Sequence, residues 1–198
     1  MKRLFLILFM LGLVLALCAC GQLRPASPEE MGRQFLEQLL GDNPELRRAL
    51  LDERRAVAAQ NGVLSPEEQQ ERTAKMQELL EKLYDGLASP ELISRQNARD
   101  YLTYWQEYIA DCGAETTVAD CHFTEDGDKL RFEATMSCAK GEEQCQLPLS
   151  GSLGFNEEGL IDSSTLDPEQ GGFTQWLLKQ EPVVMWEIME QNEQKSQD

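Results

Sequence analysis

The chain has 198 residues, with 35 acidic against 18 basic side chains and a formal net charge of −17. Such a surface repels phosphate backbones and has no basic stripe to release their counterions, which excludes nucleic acid as a partner class. The length suffices for one domain with a sizeable core.

Lys2 and Arg3 open the chain, and residues 4–17, LFLILFMLGLVLAL, form an unbroken apolar run. A positive start before an apolar run of this length has the pattern of a secretory signal. A membrane-spanning helix needs roughly 20 apolar residues, and this run ends sooner, in small residues and cysteine. The segment from Leu17 to Gly21, LCACG, resembles the lipobox of bacterial lipoproteins. In that family a small residue precedes the lipidated cysteine, and an aliphatic residue stands two positions before the small one. Ala19 and Leu17 meet the pattern for Cys20, whereas for Cys18 the bulky Leu17 would stand where the small residue belongs. The resemblance implies a signal peptide over residues 1–19, lipid (palmitate among the acyl groups) on Cys20, and an extracytoplasmic chain anchored at the cell membrane. Several acyl chains hold such an anchor durably, at about 0.8 kcal/mol per buried methylene.

Loss of residues 1–19 would leave 16 basic and 35 acidic residues, net −19. Cys20 to Asp111 carries 11 basic and 17 acidic residues, and Cys112 to Asp198 carries 5 and 18, so the acidity lies mostly in the second half. Solubility alone accounts for it, and a site for a basic partner is the alternative. Direct adsorption to an anionic bilayer is not expected, so the lipid would have to hold the chain.

Residues 20–26 are a short lipidated tether, and residues 27–189 read as a single α+β domain. One helix-start signal recurs: Ser27-Pro28-Glu29, Asn43-Pro44-Glu45, Ser65-Pro66-Glu67 and Ser89-Pro90-Glu91. Each places a capping side chain before proline and acid, which suit the first helical turn and the positive end of its dipole. The first helix carries Met31, Phe35, Leu36, Leu39 and Leu40 and stops at Gly41. The second carries Leu46, Leu50, Leu51 and Val57 and stops at Asn61-Gly62. The third has Met76, Leu79, Leu80 and Leu83. The fourth breaks near Asn97 and ends in Tyr101, Leu102, Tyr104, Trp105, Tyr108 and Ile109. At helical spacing these stripes are core rather than a cofactor box, and no cofactor is expected.

After Cys112-Gly113 the period changes from 3.6 to 2. Strands are predicted around residues 117–124, 129–139 and 145–155, with a fourth through Leu160 and Ile161, in a sheet region spanning 115–167. The apolar positions (Leu130, Phe132, Ala134, Met136 and Cys138 on the second strand) share one face for the helices to cover. Pro148 predicts an edge position or a bulge on the third strand. Short C-terminal helices are expected over 173–189, through Phe173 and Trp176 and then from Pro182, with a polar disordered tail over 190–198.

Four cysteines remain in this domain. If residues 140–143 centre the second hairpin, Cys138 and Cys145 face each other on one side, within disulfide reach. With the first hairpin centred between Asp126 and Gly127, Cys121 faces Phe132, far from Cys138. The expected bridges are therefore Cys138–Cys145 and Cys112–Cys121, which an extracytoplasmic address permits and a reducing environment would leave open. A metal site using these thiols and His122 fits poorly, because adjacent Cys121 and His122 on a strand point to opposite faces.

No phosphate loop, nucleophile elbow or HExxH motif occurs, and a single histidine makes a histidine-based triad improbable. The acids at 125–128 lack EF-hand spacing and read as a turn. Asp162 is the one acid that could approach the inner face.

The succession SPEEMGRQFLEQLLGDNPELRRAL, further helices, and a meander with the turns TEDGDKLRF and FNEEGLIDS covers residues 27–167. It resembles the nuclear transport factor 2-like (cystatin-like) α+β cone superfamily. That resemblance implies N-terminal helices packed on one face of a curved, antiparallel four-stranded meander, a domain small Gram-positive lipoproteins often carry. The chain departs from the pattern in extra helical length over 44–97 and in its C-terminal helical segment. The superfamily includes isomerases and hydratases with acid/base groups inside the cone, and none of those groups maps onto this sequence. The expected role is thus a non-enzymatic, lipid-anchored envelope protein that binds an apolar small ligand or a basic envelope protein. The alternative is an isomerase- or hydratase-like enzyme, which needs Asp162, Tyr104 or Tyr108 to project into a cavity.

The lipobox reading predicts that cells fed labelled palmitate incorporate it into the wild-type chain and the Cys18→Ala variant. Cys20→Ala should remain unlabelled and leave the membrane fraction; a labelled Cys20→Ala protein would overturn the assignment.

Overall fold

The computed structural model describes residues 27–59, 64–94, 98–167 and 172–180. The signal segment, Cys20 and the tether lie outside these residues, as do the Asn61-Gly62 stop, Asn97, the helix from Pro182 and the 190–198 tail. None of the described helices is long and apolar enough to cross a membrane.

All four capping signals start helices. Helix α1 spans Pro28–Leu40, α2 Pro44–Ala59, α3 Pro66–Leu83 and α4 Pro90–Ser94. At each start the side chain before the proline accepts an otherwise unpaired backbone N–H: Ser27 from Glu30, Asn43 from Leu46, Ser65 from Glu68 and Ser89 from Leu92. Ser65 and Glu68 close a reciprocal capping box. The helix expected to break near Asn97 is two helices, α4 and α5 (Ala98–Cys112).

Gly113, at φ +63°, turns the chain from α5 into the sheet. Strands β1 (Glu115–Asp126), β2 (Lys129–Lys140), β3 (Glu143–Phe155) and β4 (Ile161–Leu166) form an antiparallel sheet in sequence order. Helix α6 (Gly172–Leu178) packs on β3 and α5. The architecture is α+β, with N-terminal helices on a four-stranded meander and a short C-terminal helix.

The β2–β3 hairpin closes between Lys140 and Glu143, which sets Cys138 opposite Cys145. The first hairpin departs from expectation. Asp126 pairs with Lys129, so the turn is Gly127-Asp128, and Phe123 rather than Cys121 faces Phe132. The reason is Gly127, which takes φ +65° at the first central turn position, where a two-residue hairpin turn needs a positive φ. A bulge between Ala119 and His122 then sets Asp120 and Cys121 against the single residue Ala134. Asp120 adopts φ +49° there, a left-handed conformation that aspartate tolerates better than most residues. Before the bulge Thr116 and Val118 are buried; after it Cys121 and Phe123 are half-buried against the core. The pairing of β3 with β4 begins only at Gly151, so Pro148 stands where β3 has β2 as its partner on one side alone.

The core lies between helices and sheet, with Phe35, Leu39, Leu102, Phe132, Met136 and Leu153 among its fully enclosed side chains. Gly32 lets α1 come close, since a Cβ there would meet Phe123 and Leu153 at 2.9 Å. The segment 87–89 lies along β4: Ser89 N–H donates to Ile161 O, and Ile161 N–H to Leu87 O.

Helix α1 ends inside this core. Gln106 Nε2 donates to the carbonyls of Leu39 and Gly41 at 3.2 and 2.8 Å, and Thr116 Oγ1 donates to Leu40 O at 2.6 Å. Arg54 of α2 is ion-paired with Glu107 and Asp111 of α5.

Thr116→Val keeps the side-chain shape but leaves the buried Leu40 carbonyl without that donor, at a cost of about 1–3 kcal/mol. Urea unfolding should show this loss, while Thr117→Val on the exposed face should stay within about 0.5 kcal/mol of wild type. Equal stability of the two variants would contradict the account.

Candidate functional site

Alternation along the strands sends the polar set to the face away from the helices. His122 and Thr124 on β1, Arg131, Glu133 and Thr135 on β2, and Gln146, Ser150 and Ser152 on β3 share it. The register sets His122 across from Glu133, Thr124 across from Arg131, and Ser150 across from Glu133. A groove of about 610 Å³ lies among His122, Arg131, Glu133, Ser150, Ser152 and Thr165. It adjoins one of about 640 Å³ over Asp120, Thr135, Gln146 and Pro148. Glu115, Asp120, Glu133 and Asp167 contribute carboxylates to grooves on this face. Arg131 faces Asp126 at 3.7 Å. Hydroxyls, amides and carboxylates so placed make a surface that forms hydrogen bonds and attracts cations.

The residues named as acid/base candidates are separated. Asp162 Oδ1 accepts from Ser89 Oγ at 2.8 Å, and the same Ser89 hydroxyl caps α4. Tyr104 and Tyr108 are 43 % and 37 % exposed on α5, with ring centres 5.0 Å apart; their mutual hydrogen bond raises the Tyr104 phenol above its usual range. Trp105 of the same helix turns inward towards Phe173 of α6, at 6.0 Å.

The four domain cysteines are free thiols in the structure, so neither expected bridge is closed. Cys138 is buried on the inner face, and half-buried Cys145 faces it across the ladder. Burial pushes the Cys138 thiol from its ordinary 9.0 up to about 12, and Cys145 and Cys112 push in the same direction. Buried Cys112 is raised by desolvation and eased by Lys140; its S–H donates to Ile109 O at 3.6 Å. Cys121 is also raised by desolvation, but its charged surroundings are Arg33 and Glu37 of α1 and its own neighbour Asp120. Three thiols thus gather at the Lys140 end of the sheet. Cys121, at the bulge opposite Ala134, is four residues further along β2, about 13 Å at 3.3 Å per residue. Cys112 is within electrostatic range of Cys138. Sequence reasoning missed that grouping, although the first ladder carries the signal: Thr116, at the entry to β1, pairs with Cys138. Among the described residues no three His, Cys, Asp or Glu side chains group as metal ligands.

No family model matches the chain, and no curated protein does. A de novo designed β-sheet protein solved by NMR is similar in part. It is 15 % identical, over 50 % of this chain and 85 % of the design, with a TM-score of 0.34, a likeness too low to bear on fold or function.

A thiol whose folded pKa is raised binds its proton more tightly in the folded state. The stability tied to neutral Cys138 is therefore full below about pH 9 and is lost as pH rises towards 12. In the reduced, native protein, iodoacetamide at pH 8 should label Cys138 far more slowly than after unfolding in urea, read by peptide mapping. Equal native and unfolded rates would refute the buried assignment.

Proposed function

We propose that this chain is a lipid-anchored, extracytoplasmic binding protein, without enzymatic activity, that presents its open sheet face to a basic protein partner. The observation that carries the reading is the division of the sheet. One face is committed to the core, and the other is a grooved polar surface edged by Glu115, Asp120, Glu133 and Asp167. A polar trough of this kind suits a polypeptide with lysine or arginine side chains better than an apolar small molecule. The engagement of Asp162 with Ser89 and the outward placement of Tyr104 and Tyr108 weigh against the isomerase-like alternative. The lipobox at Cys20 supplies the address, and the net charge of −19 left after loss of residues 1–19 the polarity.

The test is site-specific photocrosslinking in intact cells. A crosslinker at Thr135, on the groove, should capture a discrete partner, and the adduct should fade as ionic strength rises. The same probe at Glu78, exposed on α3, should give none. Equal adducts from both positions, or a salt-insensitive adduct at Thr135, would count against the reading.

A further inference from the structure

The facing of Cys138 and Cys145 across the β2–β3 ladder goes beyond a binding role. We propose that Cys138 and Cys145 are a dithiol–disulfide site at the end of the β2–β3 hairpin. The argument begins with register. The two-residue turn Gly141-Glu142, with Gly141 at φ +60°, locks Lys140 to Glu143 and so Cys138 to Cys145. Directly opposed residues of an antiparallel pair have Cα atoms about 4.5–5.5 Å apart, inside the span that a disulfide bridges. Both side chains take the inner face and pack with the core, so neither strand must turn over for the sulfurs to meet.

The two thiols differ in access. Cys145 is half-buried, whereas Cys138 is 2 % exposed and Cys112 is 3 % exposed. An oxidant therefore meets Cys145 first. The oxidant is a disulfide, borne by a small molecule or an oxidoreductase. The Cys145 thiolate attacks one sulfur of that disulfide, the S–S bond breaks, and the departing thiolate takes up a proton. The Cys138 sulfur then attacks the Cys145 sulfur of the mixed disulfide, loses its proton and expels the second oxidant thiol. Two cysteine thiols are oxidised, and one external disulfide is reduced to two thiols. Burial, which holds Cys138 largely protonated, makes the second step slow and shields the finished bridge. Cys121, beyond the bulge, is outside the site.

The test uses the full chain, reduced and then exposed to oxidised glutathione, with the remaining thiols alkylated before tryptic mapping. Cleavage after Arg131, Lys140 and Lys179 puts Cys138 and Cys145 on separate peptides, and cleavage after Arg99 and Lys129 isolates Cys112 with Cys121. The expected product is the 132–140 peptide joined to the 141–179 peptide, lighter than the sum of the two by about two hydrogens, with Cys121 alkylated throughout. In Cys145→Ser, and in Cys145→Ala as a second variant, the 132–140 peptide should be recovered without a bridge. Circular dichroism confirms that each protein tested is folded. Alkylation of Cys138 and Cys145 in folded, oxidised wild type, or a bond from Cys138 to Cys121, would overturn the site. The readout is independent of the lipid anchor and of the outer face.

Discussion

A helix that ends inside a protein leaves carbonyls pointing into the interior, and the rest of this fold follows from how α1 meets that constraint. The last turn of any α-helix has carbonyl groups without intrahelical donors, and leaving them unpaired in an apolar core is costly. Here the donors are Gln106 of α5 and Thr116 of β1, 65 and 76 residues further along the chain from the carbonyls they reach. Both side chains are fully or almost fully buried. Helix α1 is thus complete only when α5 and the first strand have arrived, which ties helical layer and sheet into one cooperative unit. The Arg54 ion pairs to Glu107 and Asp111 extend that tie to α2, at a less buried site where water weakens them.

That dependence also settles which side of the sheet is free. The register that lets Thr116 reach α1 commits Val118, Phe132, Met136 and Leu153 to the helices, and by alternation frees His122, Glu133, Thr135 and Ser152. Burying the apolar side and binding on the polar side are then two results of one pattern. The three thiols sit where the apolar layer meets the Lys140 end of the hairpin, so a bond between Cys138 and Cys145 would stiffen the hairpin beside the groove that Glu115 edges.

Much of this was legible in the sequence, for local reasons. Ser27, Asn43, Ser65 and Ser89 cap helices because the capping bond is made within three residues, and nothing distant can alter it. Gly141 sits in a turn with one sensible centre, so the pairing of Cys138 with Cys145 followed from counting. The first turn offered Asp126, Gly127 and Asp128 as near-equal choices, and centring it one residue early moved the pairing by two. The bulge at Asp120 had no local signature: an aspartate takes positive φ there, and the reset alternation places Phe123 beneath α1. The grouping of Cys112 with Cys138 was hidden for a related reason, since it depends on where α5 delivers the chain to the sheet. Of the polar face, the composition could be read in advance, but not the grooves, which depend on how β1 and β4 flank the central strands.

The bulge bears on how the length of this strand can change. In an uninterrupted strand the parity of a residue's position decides its face, so inserting or deleting one residue inverts everything beyond it. In β1 the parity is already reset once, between Ala119 and His122. Thr116 and Val118 face inward on even numbers, and Cys121 and Phe123 on odd ones. The strand therefore holds one residue more than strict alternation requires, and Asp120 is the surplus. This is the one place in β1 where the chain could shorten by a residue while every side chain on either flank kept its face.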